Sequence, residues 1–182
     1  MLQFDFIPFP ELKTERLLLR KLEHKDANEI FFLRSDAAVL QFIGKEPAAT
    51  IQEAEEFIKT INTSIADCDA IMWGITLNEN TAMVIGTICL WNFKKEHYRG
   101  ELGYVLHPSY WGKGYMKEAI RSVIDYGFSV LQLHSIEALT HPGNTASAAV
   151  LESSGFVKEG YLKESFYFRG EFEDTVIYSL LK

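Results

Sequence analysis

The sequence predicts a mixed α/β fold with a largely antiparallel sheet, formed as a single domain over residues 1–182. Segments of strand and helix character follow one another as strand, two helices, three strands, helix, strand, helix and two strands. In addition, 47% of the residues are hydrophobic and 13% are aromatic, which is typical of a chain with a substantial core. The sequence contains no internal repeat, low-complexity tract or linker.

The first half of the chain supplies one strand, two helices and three further strands. The first strand is predicted over 15–22, after an irregular lead-in over 1–13. A helix over 26–34 follows, and Thr50 with Glu53 forms a capping box that begins a second helix. The buried stripe of this second helix is predicted at Ala54, Phe57, Ile58, Ile61 and Ile65. The three strands are predicted at 71–77, 83–93 and 98–106.

The second half alternates helices and strands before a closing strand pair. A long helix is predicted over 112–130, because apolar residues recur with helical spacing at Met116, Ile120, Val123, Ile124 and Phe128. A strand over 135–140 follows, and Asn144 caps a short helix that ends near Ser154. The closing strands are predicted at 157–168 and 173–181.

Two glycines lie where the strand over 98–106 turns into the long helix. Gly112 and Gly114 let a ligand approach the backbone closely, and the first helical turn carries N–H groups without internal partners. With the helix dipole, these groups favour a phosphate or diphosphate, and Lys113 and Lys117 could add charge. The alternative is a tight turn with no ligand, because the common nucleotide-binding glycine motifs are absent.

Two blocks of the sequence resemble the GNAT superfamily of N-acetyltransferases. The first joins the strand end Leu106-His107-Pro108 to the loop Trp111-Gly112-Lys113-Gly114-Tyr115-Met116. The second is His141-Pro142-Gly143-Asn144-Thr145-Ala146-Ser147, followed by Val150-Leu151-Glu152-Ser153-Ser154-Gly155-Phe156. The resemblance implies the GNAT acyl-CoA N-acyltransferase fold, in which the strands that carry Tyr104 and Ala138 splay apart at one end. It also implies acetyl-CoA as the acetyl donor.

The second block and both ends of the chain are similar to the RimJ/RimL-like branch of that superfamily. The opening Thr14-Glu15-Arg16-Leu17-Leu18-Leu19-Arg20 and the ending Asp174-Thr175-Val176-Ile177-Tyr178-Ser179-Leu180 carry this similarity. Members of this branch acetylate N-terminal amines of ribosomal proteins or other small amines. The resemblance therefore implies transfer of an acetyl group to a primary amine by direct attack, since no residue stands out as a covalent nucleophile.

The resemblance assigns donor binding to two backbone segments and one side chain. The loop residues Trp111, Gly112, Lys113, Gly114, Tyr115 and Met116 are expected to hold the diphosphate through their amides. Val105 and Leu106 are expected to pair with the pantetheine arm, and the Leu106 N–H to meet the oxyanion. Asn144 is expected to contact the same arm, and a helix cap is its compatible alternative. Trp111 and Met116 depart from the family pattern, which has Gln or Arg and then Gly or Ala.

Two residues are the candidates for proton transfer. Glu101 begins the strand that leads to the donor site, and could take a proton from an α-amine of pKa roughly 8, directly or through water. The alternative for Glu101 is an exposed carboxylate paired with Arg99 or a lysine. The superfamily often has a tyrosine acid at the position of Leu151, so Ser147 is the candidate to hydrogen-bond the leaving sulfur. The alternative for Ser147 is a helix-cap hydroxyl.

Composition limits the partners and the compartment. The net charge is −7, which disfavours nonspecific nucleic-acid binding. No apolar run is long enough to span a membrane, and the first residues lack the features of a signal peptide. Cys68 and Cys89 are expected to be reduced thiols in a cytoplasmic protein, and the five histidines have no metal-binding spacing. A homodimer is compatible with the family but has no signal in the sequence.

The sequence leaves two other functions open. Trp111, Met116 and the missing tyrosine would also fit a noncatalytic module that binds coenzyme A without turnover. The acceptor could also be an antibiotic, a polyamine or a free amino acid. Selectivity among these amines is predicted to lie in residues 24–65 and 160–172.

Overall fold

The computed structural model describes residues 2–182, which form one eight-stranded sheet and five α-helices. The helices are α1 (Ala27–Ser35), α2 (Ala37–Leu40), α3 (Ile51–Ala66), α4 (Tyr115–Ser129) and α5 (Thr145–Ser153). The strands are β1 (Leu12–Lys13), β2 (Leu17–Arg20), β3 (Ile71–Leu77), β4 (Gly86–Lys94), β5 (Arg99–Leu106), β6 (Ser135–Thr140), β7 (Val157–Phe168) and β8 (Glu171–Leu181). Within residues 2–182 no helix is both long and apolar enough to cross a membrane.

The sheet has the order β1-β2-β3-β4-β5-β6-β8-β7. Every neighbouring pair in it is antiparallel except β5 and β6, which run parallel. Strands β5 and β6 are joined through α4, because a parallel pair needs a crossover connection. The structure therefore confirms the predicted fold class, a mixed α/β fold with a largely antiparallel sheet.

Strands β5 and β6 pair over only three residues and then separate. Arg99 pairs with Ser135, Gly100 with Ile136, and Glu101 with Glu137. Beyond this point β5 continues along β4 to Leu106, and β6 continues along β8 to Thr140. The two strands thus form a fork, whose apex is the Glu101–Glu137 pair. The splayed central strands that the family resemblance implied are present.

The helices cover the two faces of the sheet unequally. Helix α4 packs its buried residues Ala119, Ile120 and Val123 against one face, where Trp73 of β3 meets Tyr126 at 5.5 Å between ring centroids. On the other face α1 and α3 pack around Ile30 and Ile58. Side chains alternate between faces along a strand, so Leu102, Tyr104 and Leu106 lie on the α4 face of β5. Glu101 lies on the opposite face.

The observed elements differ from the predicted ones mainly at their ends. Helix α4 begins at Tyr115 rather than Gly112, because Gly112 and Gly114 have φ angles of 71° and 80°, outside the helical region. Strand β4 begins at Gly86 rather than residue 83. The two-residue β1 and the four-residue α2 were not predicted, since elements so short show no measurable periodicity.

Candidate active site

A cavity of about 630 Å³ lies between the fork, the start of α4, helix α5 and the segment that follows α1. Its walls are mainly apolar, and the charged side chain on them is that of Lys117. Nine of the eleven predicted site residues line it: Val105, Leu106, Trp111, Gly112, Gly114, Tyr115, Met116, Asn144 and Ser147. Glu101 and Lys113 are not among its lining residues. The fold therefore brings together two sequence blocks that lie some thirty residues apart.

The loop before α4 and the first residues of that helix, together residues 112–117, form a corner with unpaired amides, which we call the glycine corner. Across residues 2–182, none of the six amides from Gly112 to Lys117 donates to a protein acceptor, whereas the next amide, Glu118 N–H, bonds Gly114 C=O at 3.1 Å. A β-carbon at Gly112 would have no neighbour within 4 Å, so the backbone there is open to a ligand. Unpaired amides at a helix start fit an anion, and their number fits a diphosphate.

The side chains around the glycine corner have roles that the sequence did not show. The indole Nε1 of Trp111 donates to Leu106 C=O at 2.7 Å and so ties the corner to the end of β5. The ammonium of Lys113 donates to Ser109 C=O at 2.8 Å, which turns it away from the cavity. Lys117 is the cation that lines the cavity instead. Met116 is buried in the core, so its bulk does not obstruct the corner.

The register of β5 determines which of its backbone groups are available in the fork. His107 N–H donates to Ile85 C=O, which belongs to the same antiparallel ladder as β4 and β5. Backbone N–H groups of successive residues in such a strand point to opposite sides. The N–H of Val105 therefore points toward β4, like that of His107, whereas the N–H groups of Tyr104 and Leu106 point toward the fork. The Leu106 N–H is therefore free to meet an oxyanion. Val105 contributes to the cavity wall, and Tyr104 offers the amide that sequence analysis did not consider.

Helix α5 places two predicted polar residues on the cavity wall. Asn144 caps the helix, with its Oδ1 accepting from Ser147 N–H at 3.0 Å. Its Nδ2 has no acceptor within residues 2–182 and remains available to a ligand. The hydroxyl of Ser147 lies 2.8 Å from the hydroxyl of Tyr104. Burial raises the pKa of Tyr104 to about 12, although the Ser147 hydrogen bond opposes this shift. Tyr104 therefore stays protonated at neutral pH.

The position of the Tyr104 hydroxyl was not predicted from the sequence, where Tyr104 was named only as a residue of one splaying strand. The contact with Ser147 joins residues 43 positions apart. Strand alternation puts Tyr104 on one face with Leu106, but the position of α5 above that face cannot be predicted from this pattern. Leu151, at the position where the superfamily often has a tyrosine, is buried in the core, and the hydroxyl beside Ser147 is that of Tyr104.

Glu101 lies at the fork apex, on the sheet face opposite α4. Its carboxylate accepts from Asn92 Nδ2 at 3.0 Å. Burial raises the pKa of Glu101, the Asn92 hydrogen bond opposes this shift, and the charge of Glu137 adds to it. Glu137 is itself bound by Arg99 at 2.8 Å and Lys94 at 3.3 Å. The charge of Lys94 also opposes the raised pKa of Glu101, but within residues 2–182 Glu101 is the apex carboxylate that forms no salt bridge.

A strap over residues 41–46 connects α2 to the far side of the cavity. The Phe42 ring stacks on His141 at 5.2 Å, and Gly44 lies directly against the Phe166 ring. Glu46 accepts two hydrogen bonds from Arg169, at 2.6 and 3.0 Å. The strap thus links two segments in which selectivity was predicted to lie, 24–65 and 160–172.

Comparison with known proteins agrees with this geometry. The family model described as acetyltransferase (GNAT) domain matches residues 16–157. The uncharacterized N-acetyltransferase YoaA of Bacillus subtilis (strain 168) is 37% identical over 174 residues, which cover 96% of this chain and 98% of YoaA.

Two solved structures are similar over nearly the whole chain. The ribosomal-protein-S5-alanine acetyltransferase from Vibrio fischeri has a TM-score of 0.83 and 29% identity, covering 94% of this chain and 96% of its own. The spermidine N-acetyltransferase from Vibrio cholerae, solved with CoA and spermine, has a TM-score of 0.81 and 27% identity. That match covers 92% of this chain and 96% of the other. The two neighbours act on different classes of amine.

Proposed function

The chain belongs to the GNAT acetyltransferase family and is an acetyl-CoA-dependent N-acetyltransferase; we propose that its acceptor is the N-terminal α-amine of a protein. The observation that carries the proposed site is the glycine corner, whose six unpaired amides open onto a cavity that reaches the fork. When bound, acetyl-CoA supplies the acetyl group as a thioester. We assign its diphosphate to the glycine corner and its pantetheine arm to the Tyr104 and Leu106 amides and to Asn144.

The chemistry requires a free amine, a donor for the developing oxyanion and a donor for the leaving sulfur. We assign the oxyanion to the Leu106 N–H; one prealigned amide of this kind contributes on the order of 3 kcal/mol. We assign the hydrogen bond to the sulfur to Ser147 Oγ–H. The nitrogen loses its proton to Glu101 through water, since Glu101 does not line the cavity.

The properties of Glu101 favour an α-amine as acceptor. An α-amine has a pKa of roughly 8, whereas an alkyl amine such as that of lysine has a pKa of roughly 10.4. Burial raises the pKa of Glu101 and so brings it closer to the pKa of an amine. The difference between the two pKa values is smaller for an α-amine than for an alkyl amine, so proton transfer to Glu101 is easier from the α-amine.

A polyamine is the second candidate acceptor, and the similarity to a spermidine N-acetyltransferase favours it. The net charge of −7 would attract either a cationic peptide or a polyamine. An acetylation screen with thiol release as readout separates the two, using peptides with different first residues, spermidine and an aminoglycoside. Turnover of peptides and not of spermidine is the expected result. Turnover of spermidine alone would overturn the proposed acceptor.

A ligand titration tests the site before any acceptor is known. Acetyl-CoA at about 100 times its Kd should raise the free energy of unfolding by about 2.7 kcal/mol. Thermal unfolding in the presence of millimolar acetyl-CoA measures this shift. An unchanged unfolding temperature would remove the cavity as the donor site.

The remaining expectations form part of the same proposal. We propose a cytoplasmic homodimer that belongs to the RimJ/RimL-like branch and does not bind nucleic acid. Exposed apolar side chains on the sheet face that α1 and α3 leave open, Trp91, Leu139 and Val157, support a second copy there. Light scattering coupled to gel filtration measures the mass, and a monomer at micromolar concentration would remove the dimer.

A further inference from the structure

Three residues connect the start of β2 to the first turn of α4, and we call them the α4 clamp: Thr14, Arg16 and Glu118. The Glu118 carboxylate accepts from Thr14 Oγ1 at 2.6 Å, from Arg16 N–H at 2.8 Å and from Arg16 Nε at 2.7 Å. These contacts span 102 positions between Arg16 and Glu118. The clamp therefore fixes the first turn of α4 to an element that the sequence places far away.

Arg16 also holds the glycine corner directly. Its Nη1 donates to Lys113 C=O at 3.0 Å, and its guanidinium lies 4.5 Å from the centroid of the Tyr115 ring. Its Nη2 lies 3.4 Å from the place that a β-carbon of Gly114 would occupy. Arg16 does not line the cavity, so it contacts the corner from behind.

The peptide that Arg16 binds is the one that presents the Gly114 amide. In a planar trans peptide the C=O and the following N–H point in opposite directions. A guanidinium on the Lys113 carbonyl therefore turns the Gly114 N–H away from Arg16, and this N–H has no protein acceptor among residues 2–182. The same bond to a charged donor also polarises the peptide and strengthens that N–H as a donor.

The clamp also resolves an electrostatic conflict. A carboxylate in the first turn of a helix is favourable for the free helix but repels an anion bound at the same place. Burial by itself would raise the pKa of Glu118, but the bonds from Thr14 and Arg16 outweigh it and keep the pKa lowered. The carboxylate is thus ionised, and Arg16 neutralises it beside the corner.

We propose that Arg16 and Glu118 are positioning residues for the diphosphate of acetyl-CoA, acting through the Lys113–Gly114 peptide and without contact to the donor. The proposal rests on the placement of the diphosphate at the glycine corner. It predicts that the clamp matters for ligands that carry the diphosphate and not for the pantetheine arm alone.

The test compares the Kd of CoA with the Kd of pantetheine, which lacks the diphosphate and the nucleotide. Calorimetric titration gives the CoA value, and competition against CoA gives the pantetheine value, without any need for the acceptor. For Arg16→Ala we expect CoA binding to weaken about tenfold and pantetheine binding to change less than twofold. Calorimetry reports the competent fraction separately, so partial misfolding does not alter the comparison.

Three further variants complete the design. Arg121→Ala removes an exposed cation from α4 outside the clamp and should leave both Kd values unchanged. Arg16→Lys should recover only part of the loss, because an ammonium cannot reproduce the bonds of a guanidinium fork. The double variant Arg16→Ala with Glu118→Gln should bind CoA about threefold more tightly than Arg16→Ala alone, because the uncompensated carboxylate is gone.

Two results would overturn the proposal. Equal losses of CoA and pantetheine affinity in Arg16→Ala would make the clamp a general structural support. If Arg16→Ala leaves the CoA affinity unchanged while Gly112→Val lowers it, the α4 clamp has no role in CoA binding. If Gly112→Val also leaves CoA binding unchanged, the diphosphate does not bind at the glycine corner and the proposed donor site fails as well.

Discussion

The glycine corner consists of backbone groups, whereas the fork apex consists of side chains. The corner offers six backbone amides from an open loop and the first turn of α4, and its two glycines contribute no side chain. The apex consists of side chains, with Glu101 held by Asn92 and Glu137 held by Arg99 and Lys94. In the proposed function, donor binding therefore depends on backbone shape, and proton transfer depends on the environment of a side chain. Substitutions at the glycine corner should therefore change the Kd of acetyl-CoA, and substitutions at the fork apex should change kcat.

The largest expected effect is at the apex, for Glu101→Gln. The amide cannot accept the amine proton, and positioned bases contribute 10²-fold or more, so kcat should fall about 100-fold. The Kd of acetyl-CoA should stay within twofold, because Glu101 does not line the cavity. Steady-state turnover at saturating amine and calorimetric titration measure the two constants.

Glu137→Gln is the matched control for that variant. Glu137 lies opposite Glu101 at the same step of the fork, but its charge is already compensated by Arg99 and Lys94. We expect kcat to change less than threefold when Glu137 is replaced. If both variants lose activity equally, the apex acts as a structural unit and Glu101 is not the base.

At the glycine corner the change should appear in binding. In Gly112→Val the β-branched residue is strained by about 1–2 kcal/mol at the native φ of 71°, so the free loop should relax away from this conformation. Binding must then restore the strained conformation, and the Kd of acetyl-CoA should rise about tenfold. The control is Gly170→Val, since Gly170 has φ 89° and the same open surroundings but lies in the β7–β8 turn. Equal Kd values for the two variants would contradict the role of the corner.

The hydroxyl pair of Tyr104 and Ser147 connects the two regions and should show a smaller effect. Tyr104→Phe removes one neutral hydrogen bond, worth about 1 kcal/mol, so kcat should fall about fivefold while the Kd of acetyl-CoA is unchanged. Because the pKa of Tyr104 is about 12, the ratio of the kcat of the variant to that of the unchanged protein should be constant from about pH 6 to 9. Tyr126→Phe, on α4 and against Trp73, is the control for loss of a tyrosine hydroxyl. A change in Kd rather than kcat would assign Tyr104 to binding.

The two regions also differ in how far the sequence predicted them. The glycine corner was predictable because its chemistry is local: Gly112, Gly114 and the helix start lie within a few residues of one another. The partners that define the apex and the clamp were not, because Glu137 approaches Glu101 only through the strand pairing and Glu118 approaches Arg16 across 102 positions. Period-two patterns assign a residue to a face but not to a neighbour across space. For the same reason the sequence did not show that the Lys113 ammonium turns to Ser109, whereas the Lys113 amide, which carries the predicted binding role, is one of the six unpaired amides.

The smallest expected effect is on the free energy of unfolding, to which the two apex carboxylates Glu101 and Glu137 should contribute with opposite signs. Burial raises the pKa of Glu101 above its ordinary value of 4.5, so the folded state holds that proton more tightly than the unfolded state. Its contribution is absent at lower pH and becomes destabilising as the pH rises through 4.5 to the folded value. For Glu137, burial would raise the pKa, but the bonds from Arg99 and Lys94 lower it, so its contribution is stabilising above 4.5 and is lost as the pH falls through the folded value.

Urea unfolding at two pH values tests this difference. At pH 7, Glu101→Gln should increase the free energy of unfolding and Glu137→Gln should decrease it, each by about 1 kcal/mol or less. The Glu101 difference should shrink toward zero near pH 4, where this carboxyl is protonated in both the folded and the unfolded state. The Glu137 difference should only begin to shrink there and should vanish at the lower pH at which the folded carboxyl is protonated. The catalytic variant would then be the more stable of the two, as expected when a buried charge is kept for function rather than for folding. A decrease for both variants at pH 7 would mean that Glu101 is stabilised as a carboxylate, and its proposed role as an acceptor of the amine proton would lose its physical basis.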